Sequence, residues 1–252
     1  IESGASDALD DDDRRSASVT VLDRIGVLLV DGSPSEEWLS GETDFLKLAL
    51  TPFEEAKIKN SVETKDLIDA SVVSLANFDP AKHLDGNQSV AVLANVSSLK
   101  DNQISALSSF VRNGGGLWLA LGDKVDADWY NDVLGSEAND LLPLPLRNIG
   151  GSLSDDSVRT RVVASHFEHP ALSLFNDRRN GNLADADLWR WHRLGESDGI
   201  GTQDATVLAR LETGDVFLAE KKVDKGIVIQ MATTVDGDWT NMPVRSCYLP
   251  LV

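Results

Sequence analysis

The sequence predicts an α/β fold with a mainly parallel, doubly wound sheet and an antiparallel strand meander near the C-terminus. Continuous apolar runs at residues 25–30 and 89–95 end in polar turn residues, which is typical of strands buried on both faces of a parallel sheet. A helix with apolar residues at three- and four-residue steps follows the second run. This alternation of strand and helix favours right-handed crossovers and a parallel sheet.

The first half of the chain contains the parallel part of the predicted sheet. Residues 56–62 predict a weaker strand, and residues 72–78 are ambiguous between strand and helix. Gly114-Gly115-Gly116 ends a helix and precedes a strand, the reverse of the order in a phosphate-binding loop, so phosphate binding is rejected. The other elements predicted in this half are a half-buried strand at 17–22, buried strands at 25–30, 89–95 and 116–121, and helices at 43–50, 98–111 and 126–134.

The second half of the chain changes character after Pro145. Residues 150–157 are rich in glycine, serine and aspartate and predict a loop, whereas residues 159–165 predict a strand. Three short strands with tight-turn signals between them form the meander, which either extends the parallel sheet or packs beside it. These strands are predicted at residues 206–211, 216–221 and 226–233.

Composition limits the function classes. The chain has 252 residues, of which 41 are acidic and 23 basic, so its formal net charge is -18. Such a charge repels phosphate backbones and anionic lipids, which argues against nucleic-acid binding. Since no run of about 18 apolar residues occurs, no membrane insertion by this segment is predicted. The missing initial methionine and the apolar final residues 249–252 lead us to expect a piece of a longer protein.

A family resemblance rests on the segment from Val90 to Asp123. In order, this segment contains a strand, an asparagine, a capped helix, a glycine triplet, a second strand and Gly122-Asp123. This order resembles the central unit of the class I glutamine amidotransferase-like superfamily, whose sheet is flavodoxin-like. More narrowly, residues 20–252 resemble the amidotransferase-like domain of large planctomycete-type bacterial membrane proteins related to aerotolerance (Bat-type) regulators. The further matching pieces are residues 27–32, 141–143, 169–170 and 238–243.

The resemblance implies one amidotransferase-like α/β domain over residues 17–252, preceded by a flexible acidic lead-in at residues 1–16. Residues 17–24 would alternatively be the tail of a preceding β-domain. In that family the domain follows membrane-spanning helices and a von Willebrand A-like domain, so it would lie outside the cytoplasmic membrane. Its expected partners are other protein domains of the same or a partner chain, and no cofactor is expected.

Ligands of open α/β sheets bind beyond the carboxyl ends of the strands. In catalytic relatives the strand at residues 116–121 would lead into a turn that presents a cysteine between glycines, but residues 122–125 are Gly-Asp-Lys-Val. Without a thiolate beside a histidine, glutamine hydrolysis fails, so no catalytic residue is assigned. The candidate strand-end pocket comprises Asp31, Ser33, Asn95, Asp123, Lys124, Asp236, Asp238 and Trp239.

The leading hypothesis is therefore a non-catalytic domain for protein-protein contact or ligand sensing. The first alternative is a hydrolase with an altered acid-base site at Asp123, Lys124 and Asp236. The second is a carbohydrate-binding face at Trp189 and Trp191, which alternate with Asp187 as in a strand, although core packing is the commoner use of tryptophan. A turn at Asp236 and Asp238, with Trp239 covering the core, is the favoured structural interpretation of that segment.

Other reactive side chains receive structural interpretations. Cys247, the only cysteine, excludes an internal disulfide, and without a neighbouring glycine it is expected to be an inert thiol. Asp10 to Asp13 lack the spacing of a calcium loop. His166 and His169 could pair on a metal with Glu168 or Glu220, but Pro170 favours a turn, and His83 and His192 are isolated surface or packing residues. No metal site is predicted.

Overall fold

The computed structural model describes residues 24–56, 66–155, 158–164, 166–195 and 204–252. The acidic lead-in, the strand predicted at residues 17–22 and most of the strand predicted at residues 56–62 lie outside these ranges. Ala56 itself ends a helix. In the part of the chain that is described, no helix is long and apolar enough to cross a membrane.

Within the described ranges, nine strands and six short helices make up the regular structure, with several 3₁₀ turns between them. The strands are β1 (Ile25–Asp31), β2 (Ile68–Ser74), β3 (Gln88–Ala94), β4 (Gly116–Ala120), β5 (Leu146–Gly151), β6 (Arg190–Leu194), β7 (Ala205–Arg210), β8 (Val216–Val223) and β9 (Gly226–Met231). The helices are α1 (Asp44–Leu50), α2 (Pro52–Ala56), α3 (Pro80–His83), α4 (Asp101–Arg112), α5 (Ala127–Trp129) and α6 (Tyr248–Leu251).

A seven-stranded sheet in the order β2-β1-β3-β4-β9-β8-β7 forms the centre of the fold. β2, β1, β3, β4 and β9 pair in parallel, and β8 runs antiparallel to both of its neighbours. The step from β1 to β2 runs one way along the sheet and the step from β3 to β4 runs the other, so right-handed crossovers place α1 and α4 on opposite faces. The predicted flavodoxin-like fold class, with helices on both faces and a C-terminal antiparallel meander, is confirmed.

The strands that were predicted as buried are buried because both faces of the sheet are covered. In β1 the residues from Val27 to Asp31 are all buried, and in β3 the same holds from Ala91 to Ala94. α4 turns Ile104, Leu107 and Val111 towards this core, as their spacing predicted. The helix then ends at the glycine triplet, where Gly114 has a φ of 112°.

The meander extends the sheet and does not pack beside it. β9 inserts between β4 and β8, with Leu119 opposite Gln230 and Ala120 opposite Met231. The buried Gln230 side chain also exchanges two hydrogen bonds, of 2.9 and 3.0 Å, with the backbone of Leu144. The residues after β9 therefore follow the same sheet edge as the residues after β4.

A second, two-stranded sheet corrects two predictions. β5 and β6 pair antiparallel, and β5 includes Gly150 and Gly151 from the segment 150–157 that was predicted as loop. Residues 152–155 lie outside any strand, as predicted, and residues 156 and 157 lie outside the described residues. The glycines that suggested a loop are needed for packing, because a β-carbon on Gly150 would lie 2.7 Å from the Trp191 ring. The strand predicted at residues 159–165 is also wrong: Thr160 and Val162 form isolated bridges only, and Ser165 lies outside the described residues.

Two further segments differ in detail from the predictions. The ambiguous residues 72–78 complete β2 and then form a 3₁₀ turn over Leu75–Asn77. The helix predicted at residues 126–134 is the three-residue α5, continued by a π-helical turn over Tyr130–Leu134. The Tyr130 hydroxyl donates a 2.8 Å hydrogen bond to the Val96 carbonyl, which anchors this turn beneath the end of β3.

Candidate functional site

The carboxyl ends of β1, β3, β4 and β9 lie side by side at one edge of the sheet. Asp31 ends β1, Ser33 follows it, Asn95 follows β3, Asp123 and Lys124 follow β4, and Asp236, Asp238 and Trp239 follow β9. The topology therefore assembles, at one edge, residues from Asp31 to Trp239 that are far apart in the sequence.

Asn95 connects several of these segments. Its Nδ2 donates to Asp123 Oδ1 at 2.8 Å and makes a very short hydrogen bond to Glu42 Oε1, while its Oδ1 accepts from the Lys124 backbone N–H at 2.8 Å. The residue has a φ of 51°, a left-handed conformation that asparagine tolerates better than most residues. Its carbonyl lies against Gly32, where a β-carbon would stand 2.0 Å away.

Asp31 has a structural role. Its buried carboxylate accepts hydrogen bonds from the Thr43 backbone N–H at 3.1 Å, from the Thr43 hydroxyl at 2.8 Å and from the Ser33 backbone N–H at 2.9 Å. These bonds hold the start of α1 against the end of β1. They thereby place Glu42, the residue before Thr43, within reach of Asn95.

Asp123 and Lys124 form an ion pair at the turn after β4. Lys124 Nζ donates to Asp123 Oδ2 at 2.8 Å. Partial burial opposes ionisation of Asp123, but the hydrogen bonds from Asn95 and Lys124 hold its pKa below the usual value. The same hydrogen bond and the charge of Asp123 raise the pKa of Lys124, so this lysine remains protonated.

Three carboxyl groups converge beside this ion pair. One oxygen each of Glu42, Asp236 and Asp238 lies within 4.8 Å of the others. Glu42 and Asp236 are 3% and 5% exposed, whereas Asp238 is open to solvent. Burial, followed by the charge of Asp236, raises the pKa of Glu42 to about 8, and burial raises the pKa of Asp236.

The turn predicted at Asp236 and Asp238 is present, because Asp236 Oδ1 accepts from the Asp238 backbone N–H at 3.0 Å. Trp239 is buried, as expected for a residue that covers the core. Its ring lies 5.4 Å from the ring of His192, and the Arg190 guanidinium lies 5.2 Å from the Trp239 ring centre. The segment therefore fits both the structural interpretation and the pocket interpretation, because it turns the chain and also adds two carboxylates to the cluster.

His192 is a buried packing residue beneath the site. Its Nε2 lies 3.0 Å from the Gly122 carbonyl and must donate, since a carbonyl can only accept. Its Nδ1 is buried without a hydrogen-bond partner. Burial lowers the pKa of His192, so the ring is neutral near pH 7.

Glu42 and His192 are the members of this site that sequence reasoning missed. Glu42 lies in an irregular loop, and the signal that could have found it is the acidic residue directly before a helix that starts at the ligand-binding edge. His192 was interpreted as an isolated residue because β6 belongs to the second sheet. Its approach to Gly122 depends on how the two sheets pack, which no local pattern reports.

The remaining candidates lie in structural settings. Cys247 is fully buried, and burial raises its pKa to about 11, which fits an inert thiol. His169 Nε2 lies 3.6 Å from Glu220 Oε2, while His166 is exposed. Trp191 is buried and donates through Nε1 to Asp215 at 2.8 Å, so a carbohydrate-stacking face that requires two exposed rings is wrong.

A cavity of about 840 Å³ lies elsewhere, between α3, α4 and the amino ends of β3 and β4. Asp79, Gln88 and Asn102 are among its lining residues. Its lining lacks a group of converging titratable side chains. We therefore assign the candidate site by chemistry and by its position at the carboxyl ends of the strands.

Together these features define a flavodoxin-like α/β domain with an acidic strand-end site and neither cysteine nor serine at residues 122–125, the turn after β4. No protein-family model matches the chain, and no curated protein matches it either. Solved structures do share its fold. The cytoplasmic protein STM1381 of Salmonella typhimurium LT2 is similar with a TM-score of 0.57 and 16% identity, over 85% of this chain and 90% of that one.

A second Salmonella typhimurium protein, the cytoplasmic protein STM3548, is similar with a TM-score of 0.58 and 14% identity, over 90% of this chain and 95% of that one. The β-galactosidase of Bacillus circulans sp. alkalophilus is similar with a TM-score of 0.53 and 13% identity, over 90% of this chain but 30% of that one. At such identities the comparisons establish the fold alone. In the enzyme, the matching part is a fraction of a much longer chain.

Proposed function

We propose that this chain is a non-catalytic domain with a glutamine amidotransferase-like fold, and that its strand-end site binds a ligand. The observation that carries the proposal is the turn after β4. There, Asp123 stands where the resemblance places a nucleophile, and its carboxylate is already bound by Asn95 and Lys124. A carboxylate with a lowered pKa and both oxygens occupied is a poor nucleophile and a poor general base.

The backbone at this turn supports the same conclusion. A nucleophile elbow holds its reactive residue in a strained conformation that exposes the side chain. Here the left-handed residue is Asn95, which follows β3, and Asp123 has no positive φ. Asn95 directs its amide inward to Glu42 and Asp123, so it serves to hold the cluster together.

A turnover assay tests this proposal. We expect the purified chain to release no ammonia from glutamine and to hydrolyse no activated ester above the buffer rate. The Asp123→Asn and Asp236→Asn variants should behave in the same way, as should Asp132→Asn, a control at an exposed site in the turn after α5. Turnover that disappears in either of the first two variants and persists in the control would refute a non-catalytic role.

A hydrolase with altered acid-base chemistry is the second candidate. The pairing of buried Glu42 and Asp236, both with raised pKa values, favours it, because general acids in enzymes are often carboxyl groups of this kind. Lys124 fits this function poorly, since its raised pKa disfavours a role as a base. Turnover that depends on Glu42 and Asp236 but survives Lys124→Met would favour this candidate.

We also propose, on the resemblance of residues 20–252, that the parent protein is a membrane-anchored bacterial protein related to the Bat-type regulators. The domain would then face away from the cytoplasm and contact other protein domains of the same or a partner chain. The two cytoplasmic Salmonella proteins resemble the chain in fold alone and do not support that location. A reporter fused after Val252 in the full-length protein, active on one side of the membrane only, tests the orientation.

A further inference from the structure

The carboxyl groups of Glu42, Asp236 and Asp238 converge from two distant parts of the chain, the loop before α1 and the segment after β9. We propose that these three residues bind a hard divalent cation, Ca²⁺ in preference to Mg²⁺. The inference rests on the proposed ligand-binding role of the strand-end site and specifies that the ligand is a divalent cation.

The three carboxylates lie close enough together to share such an ion. Oxygen ligands lie about 2.3–2.6 Å from Ca²⁺, so neighbouring ligands stand about 3.3–3.7 Å apart and opposite ones about 4.6–5.2 Å apart. The three oxygens here lie within 4.8 Å of one another. Mg²⁺ needs a smaller and more regular octahedron, which is why the wider ion is expected to bind more tightly.

Two buried oxygens without hydrogen-bond partners lie at this cluster, one on Glu42 itself and one on Thr234, which is not among the three carboxylates. Asn95 occupies Glu42 Oε1, but Glu42 Oε2 is buried and has no hydrogen-bond partner. Thr234 Oγ1, two residues before Asp236, is also buried without one. This hydroxyl lies near enough to Asp236 to favour its charged form, although it makes no hydrogen bond of normal geometry. A bound cation would give both oxygens a polar partner.

The neighbouring cationic side chain does not meet this need. Lys124 Nζ is bound to Asp123 Oδ2 and is half exposed, so it only weakly offsets the buried charge. Glu42 and Asp236 consequently lie together in a medium of low polarity with little compensation. Two buried carboxyl groups this close together must either retain a proton or bind a cation. An experiment can distinguish the protonated form from the cation-bound form.

The donor set selects the kind of cation. All three ligands are carboxylates, which suit hard ions, and the group that converges here contains no imidazole. The solvent-exposed Asp238 provides a route of entry for a hydrated ion. Trp239, the next residue, is close enough to transfer excitation energy to a bound lanthanide, which gives the site its own spectroscopic probe.

The experiment uses the chain after removal of metal with EDTA. CaCl₂ and MgCl₂ are titrated by calorimetry, and TbCl₃ is titrated while tryptophan-sensitised luminescence is recorded. We expect one saturable Ca²⁺ site, weaker Mg²⁺ binding, and Tb³⁺ luminescence that Ca²⁺ displaces. Asp238→Asn, at an exposed position that tolerates the change, should weaken Ca²⁺ binding at least about tenfold, as should Glu42→Gln, because ligand charge sets affinity.

Two controls separate this site from diffuse attraction to a chain of net charge -18. Asp132→Asn removes an exposed charge outside the site and should leave Ca²⁺ affinity unchanged. Trp239→Phe should reduce the Tb³⁺ luminescence and keep the calorimetric Ca²⁺ signal. Part of the luminescence should remain, because Trp189 Nε1 donates a 2.6 Å hydrogen bond to the Asp238 carbonyl and so also lies beside the site.

Absence of saturable Ca²⁺ binding, or equal binding by Asp238→Asn and the unmodified chain, would overturn the inference. That result would leave the non-catalytic role intact, since only turnover in the glutamine and ester assays contradicts it. Specific Ca²⁺ binding together with turnover would instead support the cation site and refute the non-catalytic role.

Discussion

A β-carbon on Gly122 would lie 2.4 Å from Cγ of Asn95. The turn after β4 is therefore shaped to admit the asparagine side chain that binds Asp123, Glu42 and the Lys124 backbone. Gly122 thus makes room for a structural amide.

Gly122→Ala should displace Asn95 and lower the free energy of unfolding by about 1–3 kcal/mol, the usual effect of overpacking. Guanidinium denaturation followed by circular dichroism measures it. Gly237→Ala is the matched control, because a β-carbon at Gly237 would meet nothing within 4 Å, and it should be neutral or slightly stabilising. Equal stability of the two variants would contradict the proposed fit between Gly122 and Asn95.

Asn95→Asp should destabilise the protein by about 2–4 kcal/mol at pH 7, because it removes the donor shared by two carboxylates and adds a third carboxyl group beside them. Aspartate tolerates the left-handed backbone as asparagine does. The loss of stability would therefore come from the changed side chain and not from backbone strain. Asn102→Asp, exposed in the first turn of α4, is the control and should change stability little. Urea denaturation of both variants makes the comparison.

The raised pKa of Glu42 predicts a pH dependence of stability in metal-free protein. Its folded-state pKa is about 8, compared with an ordinary value of 4.5, so between these values the folded state holds a proton that the unfolded state has released. This contribution is fully present below the unfolded pKa and is lost as pH rises, by at most about 1.4 kcal/mol per pH unit.

Denaturation in EDTA, at intervals from about pH 5 to pH 8, should reveal this loss as a difference between the unmodified chain and Glu42→Gln, which cannot titrate. The lowered pKa of His192 acts with the opposite sign, because stability is lost as pH falls through the unfolded histidine value. Since both proteins contain His192, its contribution cancels in the difference. Parallel pH profiles for the two proteins would show that Glu42 ionises normally.

Cys247 should react with Ellman's reagent slowly in the native chain and at once after unfolding. Its side chain is fully buried, and its raised pKa of about 11 keeps it a thiol at pH 8. Absorbance at the thionitrobenzoate band gives both rates. Prompt native labelling would identify a reactive thiolate and weaken the interpretation of Cys247 as a packing residue.

The parallel half of the fold could be predicted because each of its strands is a local pattern. The apolar runs that became β1, β3 and β4 each end in a polar residue, and the parallel direction of the strands places Asp31, Asn95 and Asp123 at one edge. β5 could not be predicted in this way. Its glycines resemble loop residues until the Trp191 ring packs against them, and that contact joins residues forty positions apart.

The candidate site likewise has residues that could be predicted from the sequence and residues that could not. Asp236 and Asp238 were predicted because they follow a strand, but their neighbour Glu42 reaches the cluster only through the hydrogen bonds between Asp31 and Thr43. His192 arrives from the second sheet. Both depend on long-range packing, which periodicity does not encode.

The place of β9 in the sheet also has a consequence for synthesis. β9 pairs between β4 and β8, so the strand that completes the interior of the sheet is the last of the nine to be translated. After Ala120 has been made, roughly a hundred further residues must follow before β4 gains its second neighbour. During that interval β4 presents an unpaired, apolar edge, the kind of surface that chaperones cover and that other nascent chains can pair with.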